Sequence, residues 1–327
     1  LLTEGQNTLA IEVHNFGAES SDMSLIPFFT LGMSEPPDNP SGTPDLLDFQ
    51  LTSLHTNFKI NADGEYVILT SSIGEIVDSL FTGPMPEDIS RGRFPDGGEN
   101  WIYYADPTPG VQNGSDGYVG IVDNPIFSEP AGFYSGSINV SISTSTLGAE
   151  IRYTTDGAEP TEISAVYSSQ LALNTTTVVR ARAFNPDYLS SAIITQTFIL
   201  NEDSTIPVVS LSTTPENLWD YETGIYVMGP NASSDFPHFG ANFWQDWERP
   251  IHLELIEPDS QLVYAADAGV KIFGAWSRGL PQKSLALYAR DEYGYNNFSY
   301  PFFPDLPFDT YEAILLRNSG NDWESSM

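Results

Sequence analysis

The feature that most constrains this chain is a run of short segments in which apolar and polar residues alternate, each closed by a turn signal. Four such segments fall within residues 127–199, separated by turns such as Asp156-Gly157 and Asn185-Pro186. They are Ile138 to Ile142, Glu150 to Thr154, Thr177 to Phe184 and Ala192 to Phe198. Period-two alternation with frequent turns is typical of antiparallel strands, so this stretch predicts a small β-sandwich.

The same pattern continues on both sides of that stretch. Before it, residues 54–114 contain three predicted strands, at Tyr66 to Thr70, Ile76 to Phe81 and Trp101 to Tyr104. After it, residues 207–327 contain four, at Ile225 to Met228, Pro250 to Ile256, Gly269 to Phe273 and Ser284 to Ala289. The best helical signal is one turn around Pro215 to Tyr221. The predicted fold class is therefore mainly β, with serial β-sandwich modules followed by a further β-rich part.

The first 53 residues and the two ends of the sequence indicate how the chain is divided. Residues 1–33 contain two strand-like segments and suggest the end of a truncated, jelly-roll-like β domain, while 34–53 have the composition of a linker. The chain begins Leu1-Leu2 and stops at Met327 without a recognisable cap or tail. We therefore expect a fragment of a longer protein.

The charge balance restricts the partners. The chain has 12 Lys and Arg against 44 Asp and Glu, a net charge of −32. Duplex nucleic acid and anionic membranes require clustered cations, so neither is expected as a partner. The absence of cysteine excludes disulfides and thiolate chemistry, and no run of 18 apolar residues suggests a membrane-spanning segment. An acidic surface of this kind suits a salty medium.

One window departs from this acidity. Between Ala268 and Arg290 there are four cations and no acid, a local charge of +4. The loop Gly274 to Gly279 lies between two predicted strands in this window. Glycine-rich turns expose backbone N–H groups and, beside cations, form anion sites. The candidate anion-binding residues are Gly274, Ser277, Arg278 and Lys283.

Strand parity assigns directions to two lysines. Lys283 shares a strand face with Leu285 and Leu287, so the residues alone favour a side chain that snorkels out or forms a structural ion pair over one that binds phosphate. Lys271 lies opposite Val270 and is expected to be exposed. Arg278 could contact a phosphate through two of its guanidinium nitrogens, or pair structurally with Glu248 or Asp291.

Other residue types give weaker signals. The four histidines show no metal-ligand or triad spacing, and His252 is predicted to be a surface strand residue. The aromatic run Phe243 to Trp247 is expected to be core rather than a sugar platform. The Asp-Gly pairs at 63, 96 and 156 fit turns better than calcium loops. No nucleophile elbow, zinc-protease motif or carboxylate pair supports a hydrolase.

Three stretches also resemble known families. Residues 54–113 resemble the second half of a lamin-tail domain, an immunoglobulin-like sandwich of secreted bacterial proteins, through Leu54-His55-Thr56-Asn57-Phe58-Lys59, Asp88-Ile89-Ser90-Arg91-Gly92-Arg93 and Pro107-Thr108-Pro109-Gly110-Val111-Gln112-Asn113. Residues 127–199 resemble the chitobiase C-terminal or fibronectin-type-III-associated module, an accessory sandwich, through Tyr153-Thr154-Thr155-Asp156-Gly157 with Pro160, and Val179-Arg180-Ala181-Arg182-Ala183.

Residues 207–327 resemble the start of the CotH kinase family. The match rests on Trp247-Glu248-Arg249-Pro250, Ala268-Gly269-Val270-Lys271-Ile272-Phe273-Gly274, Ser277-Arg278 and Gln282-Lys283-Ser284-Leu285. The resemblance implies a truncated α+β kinase-like fold that binds ATP and Mg²⁺ and phosphorylates a protein hydroxyl, and it favours phosphate contact for Lys283. The catalytic and metal-binding aspartates would follow Met327, so no catalytic residue is assigned here and the fragment is expected to be inactive. The alternative is a secreted, non-enzymatic adhesion or scaffold protein that binds a cell-surface polysaccharide.

Overall fold

The computed structural model describes residues 60–61, 64–86, 88–108 and 111–318. The chain divides into two compact units, residues 1–54 and 55–327, and every described residue belongs to the second. The predictions for residues 1–33 and 34–53 therefore lie outside the described residues. Within the described part the fold is mainly β, as predicted, and the one α-helix has five residues. No helix in these ranges is long and apolar enough to cross a membrane.

Two hairpins form the first region. Strands β1 (Tyr66–Thr70) and β2 (Ile76–Phe81) pair antiparallel, and so do β3 (Ser90–Arg93) and β4 (Trp101–Tyr104). The bounds of β1, β2 and β4 match the predicted segments. The turn between β1 and β2 contains Gly74 at φ +86°, a conformation that suits glycine.

Eleven strands form the sandwich. They are β5 (Gly120–Ile121), β6 (Ile126–Phe127), β7 (Gly132–Tyr134), β8 (Ile138–Val140), β9 (Ile142–Ser143), β10 (Glu150–Thr154), β11 (Ala165–Val166), β12 (Leu171–Leu173), β13 (Thr177–Phe184), β14 (Tyr188–Leu189) and β15 (Ile194–Leu200). The main sheet has the order β11-β10-β13-β15-β7, and the pairs β12-β8, β6-β9 and β14-β5 complete the module. Alternate residues of β13, Val179, Ala181 and Ala183, enter its core.

Two predicted sandwich strands differ from the structure. The segment Ile138 to Ile142 is two strands, because the chain changes partner at Ser141: β8 pairs with β12, and β9 pairs with β6. The last strand covers Ile194–Leu200 rather than Ala192 to Phe198, since its end pairs in parallel with β7. Both differences arise from pairing with distant segments, which local alternation does not specify.

The final module is built on a five-stranded sheet of order β16-β17-β18-β19-β22. Its elements are β16 (Val208–Ser212), α1 (Pro215–Trp219), β17 (Arg249–Ile256), β18 (Leu262–Phe273), β19 (Ser284–Tyr288), β20 (Phe298–Ser299), β21 (Thr310–Tyr311) and β22 (Ala313–Leu316), with 3-10 turns at Asn242–Trp244, Trp276–Gly279 and Asp291–Tyr293. The predicted helical turn is confirmed as α1. The predicted strand at Ile225 to Met228 is wrong, because the N–H groups of Ile225 and Tyr226 donate to carbonyls of α1 instead of a sheet partner.

The sandwich and the final module pack sheet against sheet. Strand β17 is covered on both faces: Ile251 and Leu253 enter the core of the final module, whereas Ile256 packs against Ile199 of the sandwich strand β15. The polar residues that alternate along β17 therefore face another module instead of solvent. This arrangement fixes the position of the sandwich relative to the final module.

Candidate functional site

The loop between β18 and β19 brings the four predicted anion-site residues together. Gly274 has φ +112°, and a Cβ placed on it would lie 2.6 Å from the Ser277 hydroxyl oxygen, so the turn requires glycine. The chain then forms the 3-10 turn Trp276–Gly279. Arg278 donates from Nε to the Gly274 carbonyl at 2.7 Å, which closes the loop on itself.

Lys283 points into the protein and not towards solvent. Its residue is only 8% exposed, and Nζ donates to the carbonyl oxygens of Arg278 and Leu280, both at 2.8 Å. The ammonium lies 3.9 Å from the ring centroid of Phe243 and 5.3 Å from that of Tyr226, a cation–π arrangement. Burial lowers the pKa of Lys283 from 10.5 to about 8.

No carboxylate of the described residues forms an ion pair with Lys283. The interpretation of Lys283 as a snorkelling side chain is therefore wrong, and no described residue supplies the carboxylate for a structural ion pair. Two carbonyl dipoles and two aromatic rings stabilise the charged ammonium of Lys283. These contacts hold the loop against the core, and they leave the buried cation without a counter-ion among the described residues.

Arg278 also lacks the carboxylate partners considered for it. Its Nη1 donates to the Phe243 carbonyl at 3.3 Å, and its guanidinium lies 5.7 Å from the Trp244 ring centroid. Glu248 instead binds Arg290, whose Nε and Nη2 donate to its two oxygens at 2.7 and 2.8 Å. The predicted pairing of Arg278 with Glu248 or Asp291 is wrong.

The positive window is therefore partly neutralised. Lys271, predicted to be exposed, forms ion pairs with Asp246 at 3.1 Å and Glu248 at 3.6 Å. Glu248 also holds Arg290, and these cations keep the pKa of the Glu248 carboxyl below its usual range. Of the four cations between Ala268 and Arg290, only Arg278 and Lys283 lack a carboxylate partner within the described residues.

A second buried ionisable group lies between the modules. Glu254 on β17 is 1% exposed and accepts hydrogen bonds from the Thr197 N–H, at 3.4 Å, and from the Thr197 hydroxyl. Burial raises the pKa of Glu254. Two residues before it, His252 binds Asp267 through Nδ1 at 2.7 Å, and its side chain is largely buried. The prediction that His252 is a surface strand residue is wrong, because the sandwich covers this face of β17.

The aromatic run of the final module is core, as predicted: Phe243 is buried, and Trp244 and Trp247 pack against the main cluster. A separate set of exposed rings, which the sequence analysis did not single out, surrounds Trp276 and includes Phe236 and Phe239. His14 and His55 lie outside the described residues, and among those that are described no cluster of three His, Asp or Glu side chains could hold a metal ion.

Comparison with known proteins identifies the sandwich. The family model for the chitobiase/beta-hexosaminidase C-terminal domain matches residues 129–195, about a fifth of the chain. The match confirms the predicted resemblance of this module. No curated protein matches the chain. The lamin-tail and CotH-like resemblances stay predictions.

Proposed function

We propose that the described part of the chain is an accessory, carbohydrate-binding portion of an extracellular or cell-surface protein. The match of residues 129–195 to a domain named for chitobiase and beta-hexosaminidase carries this proposal. The name hexosaminidase denotes an enzyme of amino sugars, so polymers of amino sugars are the first ligands to test. The net charge of −32 makes an uncharged polymer a better partner than an anionic one.

The contact between the modules supports an accessory role. Ile199 packs on Ile256, and Glu254 binds Thr197, across the same junction. A ligand held by the sandwich would therefore sit at a fixed place relative to the final module. This is the geometry expected of a module that positions a polymer for its neighbour.

Retention on insoluble polysaccharides tests the proposal. The whole chain is mixed with chitin and with cellulose, and the fraction left in the supernatant is measured. We expect depletion by at least one polymer, with little change between low and molar NaCl because neutral sugars offer no charge to screen. An unrelated acidic protein of similar size is the control. If the chain stays in the supernatant with every polymer, the carbohydrate function is wrong.

A second candidate is ATP-dependent phosphoryl transfer to a protein hydroxyl, as the CotH-like resemblance implies for a longer protein. The buried charge of Lys283, which has no carboxylate partner in the described part of the chain, favours this candidate, since a phosphate would supply a counter-ion. Arg278 lies on the same loop and could hold a second phosphate oxygen, while Gly274 and Ser277 shape the turn. ATP would bring Mg²⁺ with its phosphates. Because Nζ is held by two carbonyls, phosphate contact requires this loop to open.

Titration of the protein with MgATP tests this second candidate. Saturable binding is expected, together with a rise in the pKa of Lys283 above 8 as the phosphate stabilises its charge. Lys283→Met should weaken binding at least about tenfold. Lys271→Met is the matched control, because Lys271 already has carboxylate partners. Absence of saturation at millimolar MgATP, or equal binding by Lys283→Met, would rule out the phosphate site.

A further inference from the structure

A cleft opens where the sandwich meets the final module. Its volume is about 560 Å³, and both modules line it. The sandwich contributes the turn after β10, at residues 155–157, and the start of β13, at residues 175–178. The final module contributes the end of β16 and the helix α1, within residues 211–219. The cleft is remote in sequence from the loop that contains Lys283.

The lining is rich in hydroxyl groups and has no cation. Six of its side chains are hydroxyl-bearing: Thr155, Thr175, Thr176, Thr177, Ser212 and Thr213. Asp156 adds a carboxylate, and none of the lining residues is lysine or arginine. Hydroxyls and a carboxylate can exchange hydrogen bonds with the hydroxyls of a sugar. The carboxylate and the absence of cations disfavour an anionic ligand.

One hydroxyl in the cleft lacks a partner. Ser212 is only 4% exposed, and its Oγ makes no hydrogen bond to any described residue. A buried hydroxyl without a partner is unfavourable, because it has lost its water contacts without replacement. Because the oxygen itself is buried, a ligand hydroxyl would supply that partner once the Ser212 side chain turns towards the cleft. The position of Ser212 beside the Gly157 turn places it at the junction of the two modules.

An exposed tryptophan borders the same cleft. Trp219 ends α1 and is 57% exposed, and its ring lies 5.1 Å from that of Tyr226. The backbone bond from the Tyr226 N–H to the Leu218 carbonyl holds the chain next to this ring. An aromatic face that is held in place and open to solvent suits the apolar face of a pyranose ring, which stacks while its hydroxyls bond elsewhere.

We infer that this cleft binds a neutral oligosaccharide. Trp219 stacks against one sugar ring, and Ser212 and Asp156 bond to its hydroxyls. The inference rests on the proposed carbohydrate function for the class of ligand, and it adds the place of binding and the need for both modules. Gly157 allows the two modules to approach closely beside the cleft, because its φ is +88° and a Cβ there would lie 2.6 Å from the Thr213 carbonyl oxygen.

Calorimetric titration of the whole chain with chitohexaose, cellohexaose and laminarihexaose tests the site. We expect at least one to bind, and Trp219→Ala to weaken that binding at least about tenfold. Trp276→Ala is the matched control, because Trp276 is 61% exposed on the same module but lies outside the cleft. The affinity of this variant for the oligosaccharide should stay within about twofold of wild type. Ser212→Ala should weaken binding several-fold without lowering the melting temperature, since it removes an unpaired hydroxyl.

The outcomes separate the cleft from the broader function. If Trp219→Ala and Ser212→Ala both bind as wild type does, the cleft is the wrong site and the carbohydrate function stands. If none of the three hexasaccharides binds but an insoluble polymer retains the chain, the cleft is again wrong. If no soluble or insoluble glycan binds, both proposals fail. Should Trp219→Ala lose its native circular dichroism, the Ser212→Ala result decides.

Discussion

The carboxylate of Glu254 is bound by Thr197, which contributes both its N–H and its hydroxyl from the neighbouring module. The two residues lie on facing sheets, Glu254 on β17 and Thr197 on β15. Burial removes the carboxylate from water, and the two hydrogen bonds compensate only part of that loss. The junction between the modules therefore contains a buried ionisable group, and its stability should respond to pH.

Glu254→Gln should reduce the pH dependence of stability. Because the folded pKa of Glu254 is raised above 4.5, the stability that its protonated form provides is present below pH 4.5 and is lost as pH rises through the folded pKa. The glutamine of the variant does not ionise, so its contribution to stability does not change with pH. Wild type should therefore lose more free energy of unfolding than Glu254→Gln between about pH 4.5 and 8. Urea unfolding at several pH values measures the difference. Slopes common to both proteins belong to other groups; identical profiles would contradict the burial of this charge.

Substitution of Gly157 should loosen the contact between the modules. A Cβ there meets the Thr213 carbonyl, whereas one at Gly136 meets nothing within 4 Å, although both glycines have positive φ. Gly136→Ala should cost only the backbone strain of about 1 kcal/mol. Gly157→Ala should cost about 1–3 kcal/mol more, as expected for overpacking. Chemical denaturation of the two variants measures this; equal losses would show that Gly157 is not at a tight contact.

Lys283→Met should abolish a rise in stability at alkaline pH. The folded pKa of Lys283 is about 8 against 10.5 when unfolded, so between these values the unfolded chain binds more protons and folding gains stability as pH increases. Wild type should gain about 1–3 kcal/mol relative to the Met variant from pH 8 to 10.5. Chemical denaturation of both proteins at the two pH values tests this prediction. Tyrosine ionisation affects both proteins alike and therefore cancels in the difference between them. A constant difference would mean that Lys283 is not buried as a cation.

Salt should stabilise the chain. With 44 acids against 12 Lys and Arg, repulsion between like charges opposes the compact state, and salt screens it. We expect the melting temperature to rise from low to molar NaCl. Scanning calorimetry over this range is the measurement. A flat or falling melting temperature would contradict an acidic surface adapted to a salty medium.

The sequence predicts the strands of this protein well because their signal is local. The alternation over Thr177 to Phe184 gives the bounds of β13, and the same holds for Glu150 to Thr154. It fails at Ile225 to Met228, where an apolar run folds back on α1. An apolar run identifies burial, and the distant partner decides whether the run becomes a strand.

The sites depend on contacts that alternation cannot show. The polar positions of β17, among them His252 and Glu254, have the pattern of a solvent-facing strand, but a second module covers them. Lys283 is correctly placed on the apolar face, yet its partners are carbonyls of its own loop. Trp219 becomes a candidate binding residue only because sandwich residues lie across the cleft from it. Each of these relationships either joins segments that lie apart in sequence or depends on the geometry of a loop.

Hydrogen exchange of the whole chain, with and without the glycan that binds it best, shows whether the two modules bind a carbohydrate together. We expect slower exchange in both modules at once, at residues 155–157 and 175–178 of the sandwich and within 211–219 of the final module. The amide exchange rates of residues 274–283 should be the same with and without the glycan. Protection confined to that loop, or no change anywhere at a saturating glycan concentration, would contradict a carbohydrate site formed by the two modules together.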